Sequence, residues 1–185
     1  MGYDVIYADP PWPYSKDLTH TNQADSHYSL MTLDDIKNLD VRGISNNPSV
    51  VFMWATSPKL HLAIETMDAW GFHYRGIAFT WVKVAKAGHV NMAGVRPSFT
   101  KMPVELCLVG STKPKGRTLP LNNEGMKSVY HLPKTGHSVK PAEIRDAILG
   151  MFKGEHRYIE LFAREKISGW DSWGNEVQSD IELGE

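Results

Sequence analysis

Cysteine is almost absent from this chain of 185 residues, in which Cys107 stands alone. One thiol excludes an internal disulfide and any zinc site built on several cysteines, and it fits a reducing compartment, so a cytoplasmic location is expected. No apolar run approaches bilayer-spanning length, and the opening MGYDV enters a strand with no basic leader, so neither a membrane span nor a secretory signal is expected. No glycine-rich phosphate loop, internal repeat or linker is present. The 8 histidines show no ligand spacing, and no metal is expected. The length suits one domain with a full core, placed at residues 1–177, ahead of an acidic tail at 178–185 that is expected to fray.

Acid is also scarce in one stretch. The net charge is −1, yet from Ala69 to Asn123 the one acidic residue is Glu105, against Arg75, Lys83, Lys86, Arg96, Lys101, Lys113, Lys115 and Arg117. That segment carries +7, which leaves −8 for the remainder. Such a run can be a plain solvated face. With Phe79, Trp81 and Phe99 interleaved, it also fits a surface that meets phosphates. Lys86, Arg96 and Lys101, together with Lys83, fall in or beside one long loop and are candidate nucleic-acid contacts.

Apolar runs at Asp4–Ala8, Ser49–Trp54, Tyr74–Lys83, Val104–Gly110, Ser128–Leu132 and Arg157–Ala163 read as strands. Thr32 with Asp35 forms a capping-box start for a short helix to Leu39. Ser57 as N-cap with Pro58 opens a second helix, whose apolar positions Leu60, Ile64 and Met67 repeat at helical spacing and which Gly71 closes. A third helix starts at Pro141. Strands alternating with helices predict an α/β fold, Rossmann-like, with a largely parallel sheet and helices on both faces.

The stretch YDVIYADPPWPY ends a buried strand at a stiff corner. Open parallel sheets bind ligands beyond the carboxyl ends of their strands, and this corner is at such an end. Pro10 and Pro11 fix the backbone and lack N–H groups, which leaves carbonyls free beside the Asp9 carboxylate. Two adjacent acceptors suit a planar amino group, and Trp12 supplies a face for stacking a base. An exocyclic amine is a weak nucleophile because its lone pair is delocalised. Holding its protons on two acceptors favours attack on an electrophile as strong as a sulfonium methyl group, with orientation carrying most of the rate.

Ala8–Trp12, read as ADPPW after a strand, resembles the catalytic motif of S-adenosylmethionine-dependent amino methyltransferases. From Asp4 to about Val177 the chain resembles the adenine methyltransferases typified by the catalytic subunit of the eukaryotic mRNA adenine-methylation complex. That family also has many bacterial and phage DNA-modifying members. The resemblance implies that Asp9 holds the amine and also touches the cofactor. YSLMTLDDI would place Tyr28 beside the acceptor pocket. VFMWAT and FTWVK carry Trp54, read as core, and Trp81, read as the neighbour of the base. VELCLVG carries Glu105, which would face the acceptor. HSVKP gives Lys140 to the carboxylate of the cofactor's methionine part. IELFAR gives Glu160, Phe162 and Arg164 to its ribose and adenine, and WGNEV gives Asn175 and Glu176.

Two positions depart from the pattern. Ala163 stands where the family has Gly, and Glu176 where it has Gln, which exchanges an amide for a group that only accepts. The order of motifs, with the catalytic corner ahead of the cofactor strand, is the permuted order of the family. From the residues alone, Lys140 could be a solvated lysine, and Arg164 could simply neutralise Glu160. The function implied is methyl transfer to adenine in nucleic acid, with DNA favoured because the chain is compact, and with the base flipped from a duplex. A nucleic-acid-binding partner subunit without catalysis, and methylation of cytosine or a glutamine amide, are the alternatives. A homodimer or a heterologous subunit is a candidate assembly.

Overall fold

The computed structural model describes residues 2–13, 31–92, 99–136 and 139–184. Among the described residues, seven strands and three α-helices run in the order β1 (Tyr3–Ala8), α1 (Leu33–Asn38), β2 (Ser45–Ala55), α2 (Leu60–Ala69), β3 (His73–Val84), β4 (Val104–Ser111), β5 (Val129–Pro133), α3 (Ala142–Leu149), β6 (Tyr158–Leu161) and β7 (Asp171–Trp173). The strands form one sheet in the order β5-β3-β4-β2-β1-β6-β7. β1 pairs in parallel with β2 and β6, β6 with β7, and β3 with β5, whereas β4 runs antiparallel to both its neighbours. The predicted Rossmann-like α/β fold is the observed one.

Residues alternate between the two faces of the sheet, and each face builds its own core. Ile6, Ala8, Val51, Met53 and Leu161 pack under α1 and α2 with Ile36, Met67 and Trp70. Val5, Tyr7, Phe52, Trp54 and Trp81 pack with Ile144 and Ile148 of α3. Burial on both faces explains why the strands read as continuous apolar runs.

Local signals act as expected at several ends. Thr32 Oγ1 accepts from the Asp35 N–H while Asp35 accepts from the Thr32 N–H, completing the capping box. Gly71 adopts φ 76° behind α2, which a residue with a Cβ rarely does. The Ser57–Pro58 signal instead starts a short 3-10 turn, Ser57–Lys59, and α2 begins at Leu60 without a side-chain cap. The strand β7 went unforeseen.

The tail is a correction. Asp180 accepts from the Ser172 N–H and pairs with Lys166, the Gly184 carbonyl accepts from the Asp40 N–H, and Ile181 and Leu183 pack on the α1–α2 core. Two apolar side chains in an acidic segment were enough to dock what composition alone suggested would fray.

Candidate active site

Strand polarity assembles the site. The parallel strands β1, β2, β3 and β6 end at one edge of the sheet, and the antiparallel β4 begins there: Ala55 lies opposite Leu106, and Trp81 opposite Glu105. Asp9 leaves β1 at this edge. Phe162 leaves the neighbouring β6 there, since Ala8 is in register with Leu161. Lys140 enters from the far side of the chain, just ahead of α3, which is packed against the same half of the core.

The corner is rigid, but its acceptors are partly engaged. The Trp12 N–H donates to the Pro10 carbonyl at 2.9 Å, and Trp12 Nε1 donates to the Trp54 carbonyl at 2.8 Å. The indole is thereby fixed between the end of β2 and the corner. The expectation of unoccupied proline carbonyls is corrected for Pro10, which keeps one lone pair. The expectation that Asp9 meets no competing donor is also corrected: Lys140 Nζ lies 2.5 Å from Asp9 Oδ2.

That lysine is the hub of a four-charge chain. Its ammonium stands 3.3 Å from Glu105 Oε2 and 5.6 Å from the centroid of the Trp54 ring, while Glu105 Oε1 lies 2.5 Å from Lys83 Nζ. Side-chain exposure is 11% for Lys140, 15% for Glu105 and 25% for Asp9, so these charges interact outside the full screening of water. Burial pushes the Asp9 carboxyl above its ordinary range, and Lys140 only partly offsets it. Burial acts on Glu105 in the same direction, but Lys140 and Lys83 together hold it below the usual value. Burial alone would make Lys140 less basic; Asp9 and Glu105 instead raise its pKa.

A second cluster adjoins the first along β6. Glu160, the third residue of the strand, pairs with Arg145 Nη1 of α3 at 2.9 Å. The residue that neutralises Glu160 is thus Arg145, not Arg164. Arg145 was legible only as a charge placed among Ile144 and Ile148 on the inward stripe of α3, a position that requires a buried partner. Arg164 Nε lies 3.6 Å from Glu176 Oε1 and lowers the pKa of Asp9 through space, which links the two clusters. Phe162 sits at φ 61° with its ring edge-on to Trp173, 5.4 Å between centroids. Gly174 brings the Asn175–Glu176 turn against this bend: a Cβ at 174 would lie 2.4 Å from the Ala163 carbonyl oxygen. Asn175 and Glu176 are exposed.

Other expected residues fall elsewhere. Trp81 is only 2% exposed, with Nε1 donating to the Leu132 carbonyl, so it forms the floor of the site and offers no face to a base. Lys86 and Lys101 are exposed, in keeping with a solvent-facing loop. Lys83 departs from that group and belongs to the partly buried chain of charges. Tyr28 and Arg96 lie outside the described residues. Among the described residues, no cluster of His, Cys, Asp and Glu could hold a metal, and no helix is long and apolar enough to cross a membrane. A cavity of about 300 Å³ opens between Val50, Phe52, Phe79 and Phe152, at the other end of β2 from Asp9, so cavity size does not locate the charges.

Comparison with known proteins places these residues in a family. The MT-A70 family model matches residues 3–176. The type II methyltransferase M.MunI of a Mycoplasma species is 31% identical over 193 residues, covering 95% of this chain and 78% of that protein. Human N(6)-adenine-specific methyltransferase METTL4 is 29% identical over 186 residues, and the chain spans only 37% of its length. The N(6)-adenosine-methyltransferase non-catalytic subunit METTL14 of Xenopus tropicalis is 25% identical over 177 residues, with 38% of its length spanned. With the family model matching nearly the whole chain, over a sheet whose β1 is followed directly by Asp-Pro-Pro-Trp, the chain belongs to the MT-A70 family of methyltransferases.

Proposed function

We propose that the chain transfers a methyl group from S-adenosylmethionine to the exocyclic amine of adenine in nucleic acid, with DNA favoured over RNA. The observation that carries this reading is the Asp9–Trp12 corner at the carboxyl edge of the sheet, with the partly buried Lys140 paired to Asp9. Adenine is supported by the N(6)-adenine-specific name of METTL4. DNA is favoured because the chain is compact, as is the type II methyltransferase M.MunI, 78% of whose length it covers, whereas a relative from Pyricularia oryzae is named an RNA methyltransferase.

The donor set fits the cofactor. Its amino-acid carboxylate needs a cation, and Lys140 is a desolvated one held by two carboxylates rather than by solvent. The diol of its ribose needs polar partners, and Arg164, Asn175 and Glu176 gather behind the Phe162 bend. When bound, S-adenosylmethionine supplies an electrophilic methyl group. Asp9 would then accept one N–H of the target amine, and the free lone pair of a proline carbonyl the other, orienting the nitrogen for attack. The methylated nitrogen is cationic and sheds its proton readily, so no strong base is required. Glu105 would face the other side of the base.

The second reading, a non-catalytic subunit, is favoured by the relatives named as such, METTL14 of two Xenopus species and MTB of Arabidopsis thaliana. The experiment that separates the two is nucleoside mass spectrometry after incubation with S-adenosylmethionine and single- or double-stranded DNA or RNA. N6-methyladenine is the expected product. Asp9→Ala should reduce turnover about a hundredfold or more, while the fold is kept and S-adenosylhomocysteine affinity falls only modestly. Cofactor binding without any methylated product would establish the non-catalytic reading, and a methylated cytosine would overturn adenine as the acceptor.

A further inference from the structure

Lys83 occupies a position that the chemistry outlined above does not use. β3 and β4 set Trp81 opposite Glu105, and Lys83, two residues along on the same face, reaches Glu105 as its diagonal neighbour. Its ammonium lies 5.0 Å from the centroid of the Trp81 ring. The backbone is pinned on both sides: the Lys83 N–H donates to the Pro103 carbonyl at 2.9 Å, and its carbonyl accepts from the Asn91 N–H at 2.8 Å. A lysine serving phosphates would extend into solvent; this one is folded inward onto a carboxylate.

We propose that Lys83 is a positioning residue of the acceptor site, which keeps Glu105 ionised and aimed at the incoming base while Lys140 is engaged by the cofactor. The inference rests on the methyl-transfer reading. Three charged groups face Glu105: Lys83 from β3, Lys140 from the segment ahead of α3, and Asp9 from the end of β1. Once a ligand carboxylate neutralises Lys140, Lys83 is the remaining cation, among the described residues, that opposes burial and the repulsion from Asp9. An ionised carboxylate only accepts, whereas a protonated one also donates. Above its pKa Glu105 can therefore face the positive charge that develops on the amine nitrogen during transfer, and this capacity is lost as pH falls through that pKa. Loss of Lys83 raises the pKa and moves the acid limb of activity upward.

The test uses the whole chain with Lys83→Met and Lys83→Arg. The Glu105 carboxyl is titrated by carbon-13 NMR, assigned with Glu105→Gln, with and without S-adenosylhomocysteine. The pH profile and salt dependence of kcat/KM for nucleic acid are measured in parallel. In Lys83→Met, the carboxyl titration and the acid limb should both move up by about one pH unit or more. The value of kcat/KM near neutrality should fall about tenfold, the salt slope and S-adenosylhomocysteine affinity should hold, and Lys83→Arg should restore the titration. An unmoved titration overturns the inference, and so does a flattened salt slope with an unmoved pH profile, which would make Lys83 a phosphate contact. A wild-type chain that transfers no methyl group refutes the methyl-transfer reading instead, and the NMR titration still reports whether Lys83 governs Glu105.

Discussion

Lys140 Nζ stands 2.5 Å from Asp9 Oδ2, joining two residues 131 positions apart in the chain. The pair ties the start of α3 to the end of β1 across the edge where the site opens. The candidate cofactor-binding cation meets the candidate amine acceptor directly. One side chain thus links two halves of the proposed chemistry.

Removing that cation should destabilise the protein in a pH-dependent way. Lys140→Met leaves Asp9 and Glu105 without their shared cation, and both carboxyl pKa values rise beyond their present positions. A carboxyl whose folded pKa exceeds its unfolded value weakens folding above that pKa, and the penalty fades as pH falls through it. The expected loss is about 3 kcal/mol near neutrality, shrinking toward acid pH. Urea titrations across pH check this, and a loss constant with pH would contradict it.

The same lysine should discriminate ligands by their carboxylate. Lys140→Ala should weaken S-adenosylmethionine and S-adenosylhomocysteine alike, by roughly 1.5–3 kcal/mol for a bond to a charged group. 5′-Methylthioadenosine, which lacks the amino-acid portion, should bind wild type and variant equally. Calorimetry on the three ligands tests the placement. An equal loss for all three would mean that the substitution deforms the pocket rather than removing one contact.

The Arg145–Glu160 pair should behave as a structural pair. Both side chains are largely buried, and burial raises the Glu160 pKa despite the guanidinium beside it. Arg145→Met should cost about 3 kcal/mol by stranding the carboxylate, and the double variant with Glu160→Met should recover much of that loss. Urea midpoints for the three variants close the cycle. Additive losses would show that the pair is not coupled.

What could be read in the sequence was whatever depends on local pattern. The buried strands declared themselves as apolar runs, and the Thr32 capping box needs only its own four residues. The Asp9 corner was visible because prolines after a strand are stiff wherever they occur. What escaped was set by neighbours distant in the chain. Lys83 sits in a basic stretch and looked solvated until the antiparallel pairing of β4 brought Glu105 to it. Arg145 became the partner of Glu160 only because α3 crosses that face of the sheet. Trp81 reads as a stacking ring in a peptide, yet the flanking strands β4 and β5 and the Trp54 ring bury it.

The remaining basic residues should govern nucleic-acid affinity without touching the cofactor. Arg75 of β3 donates to the carbonyls of Lys113 and Gly116 in the loop after β4 at 3.0 Å, and Arg117 pairs with Glu124 at 2.8 Å, so part of that charge is used to hold the loop. The segment between β3 and β4 differs: Lys86 and Lys101 are exposed, as is Phe99 at 99%. This segment leaves β3 and rejoins β4 at the edge that carries Asp9, where a backbone would pass as its base enters. Each phosphate neutralised on duplex DNA contributes about 0.9 to the slope of log affinity against log salt. Reversing Lys86, Arg96 and Lys101 to Glu should raise the Michaelis constant for nucleic acid and reduce that slope by as many such increments as there are contacts. S-adenosylhomocysteine affinity should stay unchanged, because its expected contacts are on other segments. A triple variant with an unaltered Michaelis constant and salt slope would make the segment a solvated face, and would leave the Asp9 chemistry standing.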